Sequence, residues 1–181
     1  MRKRTIALCL LPALLIALIL SGCAPTRGQE RRLAFLGKPL RAEVRITRGG
    51  KVTGGILELG EVSADGDRFM RLTFTCPESL AGVVAEKSGD DLTVSLGGRL
   101  FDAPEAAAGF LRAGELFSDT GVLLSAKRIR QGEENLTELT MSSSAGDRVL
   151  TLNDSDRLLC IETKDVKTEI VWIEKPSTSM Q

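Results

Sequence analysis

No histidine and no tyrosine occur among the 181 residues, and Trp172 is the single tryptophan. Without histidine, Ser-His-Asp and Cys-His nucleophilic catalysis are excluded, and so are His-ligated zinc sites. Charge is also without a dominant sign: 24 basic residues balance 24 acidic ones. Nothing in that balance points to nucleic acid, and none is expected as a partner. Cysteine is scarce, at four residues. With no catalytic constellation in view, the chain is expected not to be an enzyme and to need no cofactor and no metal.

What is present begins at the N-terminus. Arg2, Lys3 and Arg4 precede an uncharged run, Ile6 to Leu20, after which come Ser21, Gly22 and Cys23. A charged cluster, an apolar stretch and a small-residue cleavage site, in that order, form an export signal. The run is short for a spanning helix, which needs about 20 apolar residues, and Pro12 lies inside it. Leu20-Ser21-Gly22-Cys23 resembles the lipobox of bacterial lipoproteins. That resemblance implies a lipid on the Cys23 thiol and cleavage before Cys23. Two acyl chains suffice for stable anchoring where one does not, so the expected partner is a membrane, held through the anchor. The expected location is extracytoplasmic: the outer face of the cell membrane, or the outer membrane in a Gram-negative cell.

Removing residues 1–22 takes away three basic groups and no carboxylate, which leaves 159 residues with 21 basic against 24 acidic. A chain of that length makes one domain with a core of its own. Residues 23–28 read as a tether, 29–175 as the domain and 176–181 as a polar tail. Cys76 and Cys160 remain as thiols; in an oxidising compartment they are candidates for a disulfide, the alternative being two separate buried cysteines.

Most of the domain alternates with period two. Leu40, Ala42, Val44 and Ile46 interleave with Arg41, Glu43, Arg45 and Thr47, as in a half-buried strand. Arg48-Gly49-Gly50-Lys51 reads as a hairpin turn. Strands are expected over residues 52–59, 68–76, 83–86, 92–96, 122–129, 136–141, 148–152, 157–162 and 167–173. Asp65-Gly66, Gly89-Asp90, Gly146-Asp147 and Asn153-Asp154-Ser155-Asp156 supply turns. Two helices interrupt the pattern. One covers residues 29–36; the other runs from Pro104 to Phe117, with Asp102 as candidate cap and with Gly109 and Gly114 weakening it. Turns roughly every ten residues indicate an antiparallel meander, and so an α+β chain of about ten strands.

In its element order, from about residue 29 to 173, the chain resembles the LolA/LolB lipoprotein-carrier superfamily. The strand ending at Pro77, the loop Leu80-Ala81-Gly82-Val83, the strand around Leu92 to Leu96 and the helical insert that follows carry the likeness. Some clostridial germination lipoproteins are similar too. The resemblance implies a half-open antiparallel barrel with an N-terminal helix and a central helical insert on its concave side. It also implies an apolar cavity for acyl chains, for which Leu72, Phe74, Leu92, Val94, Phe110, Leu111 and Phe117 are the candidate lining. The alternative is that these side chains pack into a closed core. Two function classes follow: a lipid-binding or acyl-binding envelope protein, or a scaffold of the same fold that binds a cell-wall hydrolase or amidase.

Other motifs have plainer readings. Asp65-Gly66-Asp67 and Asp154-Ser155-Asp156 lack the 12-residue loop of a calcium site and match turn chemistry. Lys127-Arg128-Ile129-Arg130 reads as the charge an edge strand uses against aggregation, with anionic lipid head groups as the alternative.

Overall fold

The computed structural model describes residue 33, residues 35–117, 121–143 and 146–174. The chain divides into two compact units, Met1–Leu33 and Ala34–Gln181, and all described residues but Leu33 belong to the second. The export signal, Cys23, the tether, the tail and most of the expected N-terminal helix lie outside the described residues.

Eleven strands form one sheet. In chain order they are β1 (Leu40–Arg48), β2 (Lys51–Val62), β3 (Arg68–Cys76), β4 (Val83–Ser88), β5 (Asp91–Leu96), β6 (Arg99–Phe101), β7 (Val122–Gln131), β8 (Glu134–Ser143), β9 (Gly146–Asn153), β10 (Leu158–Glu162) and β11 (Val166–Glu174). A 3-10 turn, Glu78–Leu80, follows β3, and helix α1 (Pro104–Glu115) links β6 to β7. In space the order is β6-β5-β4-β3-β2-β1-β11-β10-β9-β8-β7, with every described pairing antiparallel. β1 and β11 join two meanders, while β6 and β7 remain as edges. The sheet is not closed.

Alternation places the core. Ala42, Val44 and Ile46 are buried on β1, Leu57 and Leu59 on β2, and Met70, Leu72 and Phe74 on β3. Their neighbours carry charge on the other face. There Arg41, Glu58, Arg71 and Glu86 stand in register across β1 to β4. They form a cross-strand ladder, with Arg41–Glu58 at 3.1 Å and Arg71–Glu86 at 2.7 Å. Such exposed pairs contribute little energy, but they commit that face to water. The β1–β2 hairpin turns on Gly49 and Gly50, both at positive φ, in register with Arg48 opposite Lys51.

Helix α1 lies on the apolar face. It packs against β3, β4, β5 and β11. Five strand spacings separate β5 from β11 in the sheet, about 24 Å, yet one helix about 10–12 Å wide touches both. A half-open sheet bending around the helix accounts for both contacts. Ala107, Leu111, Ala113 and Gly114 are its buried residues, and Leu116 and Phe117 follow them into the core. Full burial of each large apolar side chain is worth about 1.5–3 kcal/mol. Gly114 permits close approach, because a Cβ there would meet Met70 Sδ at 2.9 Å and Leu59 Cδ2 at 3.2 Å.

The structure departs from expectation in three places. β6 is an eleventh strand, exposed along its whole length. The helix is continuous through Gly109 and stops at Glu115. Its N-cap is Ala103, without a side-chain cap bond, so Asp102 falls one position too early to act as the cap.

β2 contains a further close contact. At Gly55 the register to β3 shifts, and a Cβ added there would meet the Thr73 carbonyl oxygen at 2.5 Å. Backbone cannot give way as a side-chain tip can. Gly55→Ala is therefore expected to destabilise the chain by about 1–3 kcal/mol, read as a lowered urea midpoint at unchanged slope.

Candidate functional site

Between α1 and the strands β1, β2, β3 and β11 lies a cavity of about 170 Å³. Its apolar wall is Ile46, Leu72, Phe74, Phe110, Ala113 and Val166. Alternation on β1 and β3 delivers Ile46, Leu72 and Phe74 to this face. The helix contributes Phe110 and Ala113, which are three residues apart and so share one side. Phe110 meets Phe74 edge-on, with ring centroids 4.7 Å apart and planes at 70°. Leu72 and Phe74 form a closed floor, each 1% exposed. At the mouth are Arg48, Lys51, Thr53 and Arg112. Arg48 reaches across to the helix, where its Nη1 donates to the Gly109 carbonyl at 3.4 Å.

Two larger hollows have different walls. One, of about 420 Å³, is lined by Glu115, Asp147, Lys164 and Asp165 among others. The second, of about 570 Å³, has Glu134, Glu138, Glu162 and Glu169 on its lining. Both are more open and are lined largely by charged groups, which cannot favour an acyl chain. The smaller cavity is the better site on chemical grounds, despite its size.

Of the side chains proposed from sequence, Leu72, Phe74 and Phe110 meet at this cavity. Leu111, Phe117 and Val94 are buried in the core, and Leu92 is half-buried on β5. Phe110 and Leu111 are adjacent on a helix and point about 100° apart, so both cannot face one pocket. Sequence reasoning missed Ile46, Ala113 and Val166 in the wall and the three cations at the mouth.

Two buried arginines fix the end of α1. Arg68 on β3 is 4% exposed. Its Nε donates to the Gly60 carbonyl at 2.7 Å, its Nη1 to the Phe117 carbonyl at 3.0 Å, and its Nη2 to the Lys38 carbonyl. Arg148 on β9 is 1% exposed, and its Nη1 donates to the Leu116 carbonyl at 2.5 Å. The last carbonyls of a helix lack intrahelical partners and carry its negative end. Guanidinium groups from both halves of the sheet hold the carbonyls of the C-cap residue Leu116 and of Phe117 just beyond it. Burial lowers the pKa of Arg68 from its ordinary value, although an arginine stays charged at neutral pH.

Cys76 and Cys160 are both free thiols, Cys76 exposed and Cys160 half-buried. Their strands stand four spacings apart in the sheet, about 19 Å along it, whereas a disulfide needs Cα atoms within about 7 Å. Burial above all pushes the Cys160 thiol up to about 11, which makes it a poor nucleophile. In the turn after β9, Asn153 Oδ1 accepts the amides of Ser155 and Arg157 at 3.0 and 2.9 Å, as a turn requires. Lys127, Arg128 and Arg130 lie on β7, an edge of the sheet, the position their charge suggested.

An unclosed antiparallel sheet curved around a helix that links its two edge strands is the arrangement the sequence resemblance implied. Similar solved structures include a conserved protein of Thermus thermophilus, 17% identical, with 83% of this chain and 84% of that one covered and a TM-score of 0.47. MucB is another, 13% identical over 88% of this chain and 62% of its own, with a TM-score of 0.47. A LolA superfamily protein of Nitrosomonas europaea is 10% identical, covers 83% of this chain and 92% of its own, and has a TM-score of 0.38. This chain spans less than two thirds of the MucB chain. No family model matches the chain, and no curated protein matches it at a significant level.

Proposed function

We propose that this chain is a non-enzymatic envelope lipoprotein, tethered by a lipid on Cys23, which takes up one acyl chain of a lipid or acylated ligand between α1 and the sheet. The observation that carries the reading is the apolar-walled cavity at Ile46, Leu72, Phe74, Phe110, Ala113 and Val166. Its volume, about 170 Å³, is close to that of an engineered apolar cavity, about 150 Å³, that admits benzene. Size therefore limits the guest to part of a single chain. A bulky multi-chain anchor does not fit without movement of α1. Delipidated full-length protein is expected to bind a fluorescent fatty acid saturably at one site. Absence of saturable binding, with only the unliganded mass in native mass spectrometry, would reject the reading. The tether has its own test: Cys23→Ala is expected to leave an uncleaved precursor that takes up no radiolabelled palmitate, and normal labelling of that variant would refute the anchor.

A second reading rests on a different observation. Among the described residues, β7 is an edge strand of ten residues, paired only with β8, with Val122 66% and Leu124 57% exposed. Such an edge can accept a strand from another protein, as a scaffold for a cell-wall hydrolase or amidase would. Retention of such an enzyme on the full chain, lost on placing proline in β7, would favour it.

A further inference from the structure

The cavity's mouth differs in kind from its wall. Arg48 and Lys51 face each other across the β1–β2 hairpin, and Arg112 stands one helical turn beyond Gly109, the residue whose carbonyl Arg48 reaches. All three are exposed and line the same opening. No carboxylate belongs to the described lining of this cavity. Among the described residues, none of the three cations is in an ion pair. Three like charges around one opening repel one another, although the chain as a whole has as many acidic as basic residues. On the sheet's other face, by contrast, arginines are matched with glutamates. The three cations line the same cavity as Leu72 and Phe74, and Arg112 also borders the hollow lined by Glu115, Asp147 and Asp165.

We propose that the cavity selects an anionic single-chain amphiphile, a fatty-acid carboxylate, with its hydrocarbon against Ile46, Leu72, Phe74, Phe110 and Val166 and its carboxylate among Arg48, Lys51 and Arg112. The proposal rests on the acyl-binding reading above and adds the sign of the head group. Arginine offers a carboxylate two parallel donors; Arg48 comes from β1 and Arg112 from α1. Lys51 adds a third charge from the hairpin. The contacts are solvent-exposed, so each contributes modestly and is weakened by salt.

The test compares decanoate, 1-decanol and decyltrimethylammonium, each below its micelle-forming concentration, by calorimetry on the delipidated full chain. Decanoate is expected to bind about tenfold more tightly than decanol in low salt, and decyltrimethylammonium more weakly than either. The triple variant Arg48→Gln, Lys51→Gln, Arg112→Gln is expected to bind decanoate no better than decanol, with a far-ultraviolet circular dichroism spectrum like that of the unaltered chain. The unchanged spectrum shows that the variant is folded. Equal affinities for decanoate and decanol in the unaltered chain would overturn the head-group proposal and leave the acyl reading standing. So would a decanoate preference that survives in the triple variant. Failure of all three ligands to bind would overturn both.

Discussion

Replacing Arg68 by alanine is expected to lower the unfolding free energy by about 3–5 kcal/mol. The side chain is 4% exposed and donates to carbonyls from three separate places: Lys38 before β1, Gly60 on β2 and Phe117 beyond α1. Truncation strips all three of a charged donor, and the Phe117 carbonyl keeps only the Gly37 amide at 3.1 Å. A domain holds about 5–15 kcal/mol in total, so the variant stands near its folding threshold. Arg68→Lys is expected to recover only part of the loss, because an ammonium lacks the planar fork that spans separate acceptors. Urea unfolding measures both. A loss below about 1 kcal/mol for the alanine variant would show that the carbonyls find water instead.

Gly109→Leu is expected to do the reverse: stability rises while acyl binding falls by tenfold or more. Glycine inside a helix costs about 1 kcal/mol relative to a good helix former. At this position an added Cβ meets only Arg48 Nη1, at 3.4 Å, the far end of a long exposed side chain that can move aside. The same glycine lines the cavity, so a leucine side chain there occupies the volume a ligand would need. Thermal unfolding and fatty-acid titration on one preparation read the two effects separately. Raised stability with unchanged binding would place the ligand elsewhere.

Much of this architecture is legible in the sequence, and the exceptions have physical causes. The bounds of β3 follow from alternation between Arg68 and Cys76 and from Pro77 beyond it. The β1–β2 turn follows from Gly49-Gly50, where positive φ is required twice. β6 was missed because Arg99–Phe101 is three residues long and wholly exposed, so it has no buried face to produce a period. Arg68 and Arg148 sit at or near strand starts, where a charge usually meets water. Their burial depends on carbonyls that lie 49 and 32 residues away along the chain, a distance over which local pattern is silent. The cavity was half legible for a related reason. Period two puts Leu72 and Phe74 on the inner face, but whether an inner residue lines a hollow or fills the core depends on where α1 comes to rest. Leu111 and Phe117, equally apolar, turn into the core. Arg48 and Lys51 read as ordinary hairpin flanks until Arg112 is brought opposite them.

The central claim is that the hollow beneath Phe110 receives an acyl chain. Methyl-resolved NMR of the full chain titrated with decanoate tests it most directly. Saturable shifts of the Ile46, Leu72 and Val166 methyl signals, with Leu100, Val122 and Leu124 unmoved, are the predicted result. Shifts confined to those three exposed residues, with the cavity methyls silent, would contradict it.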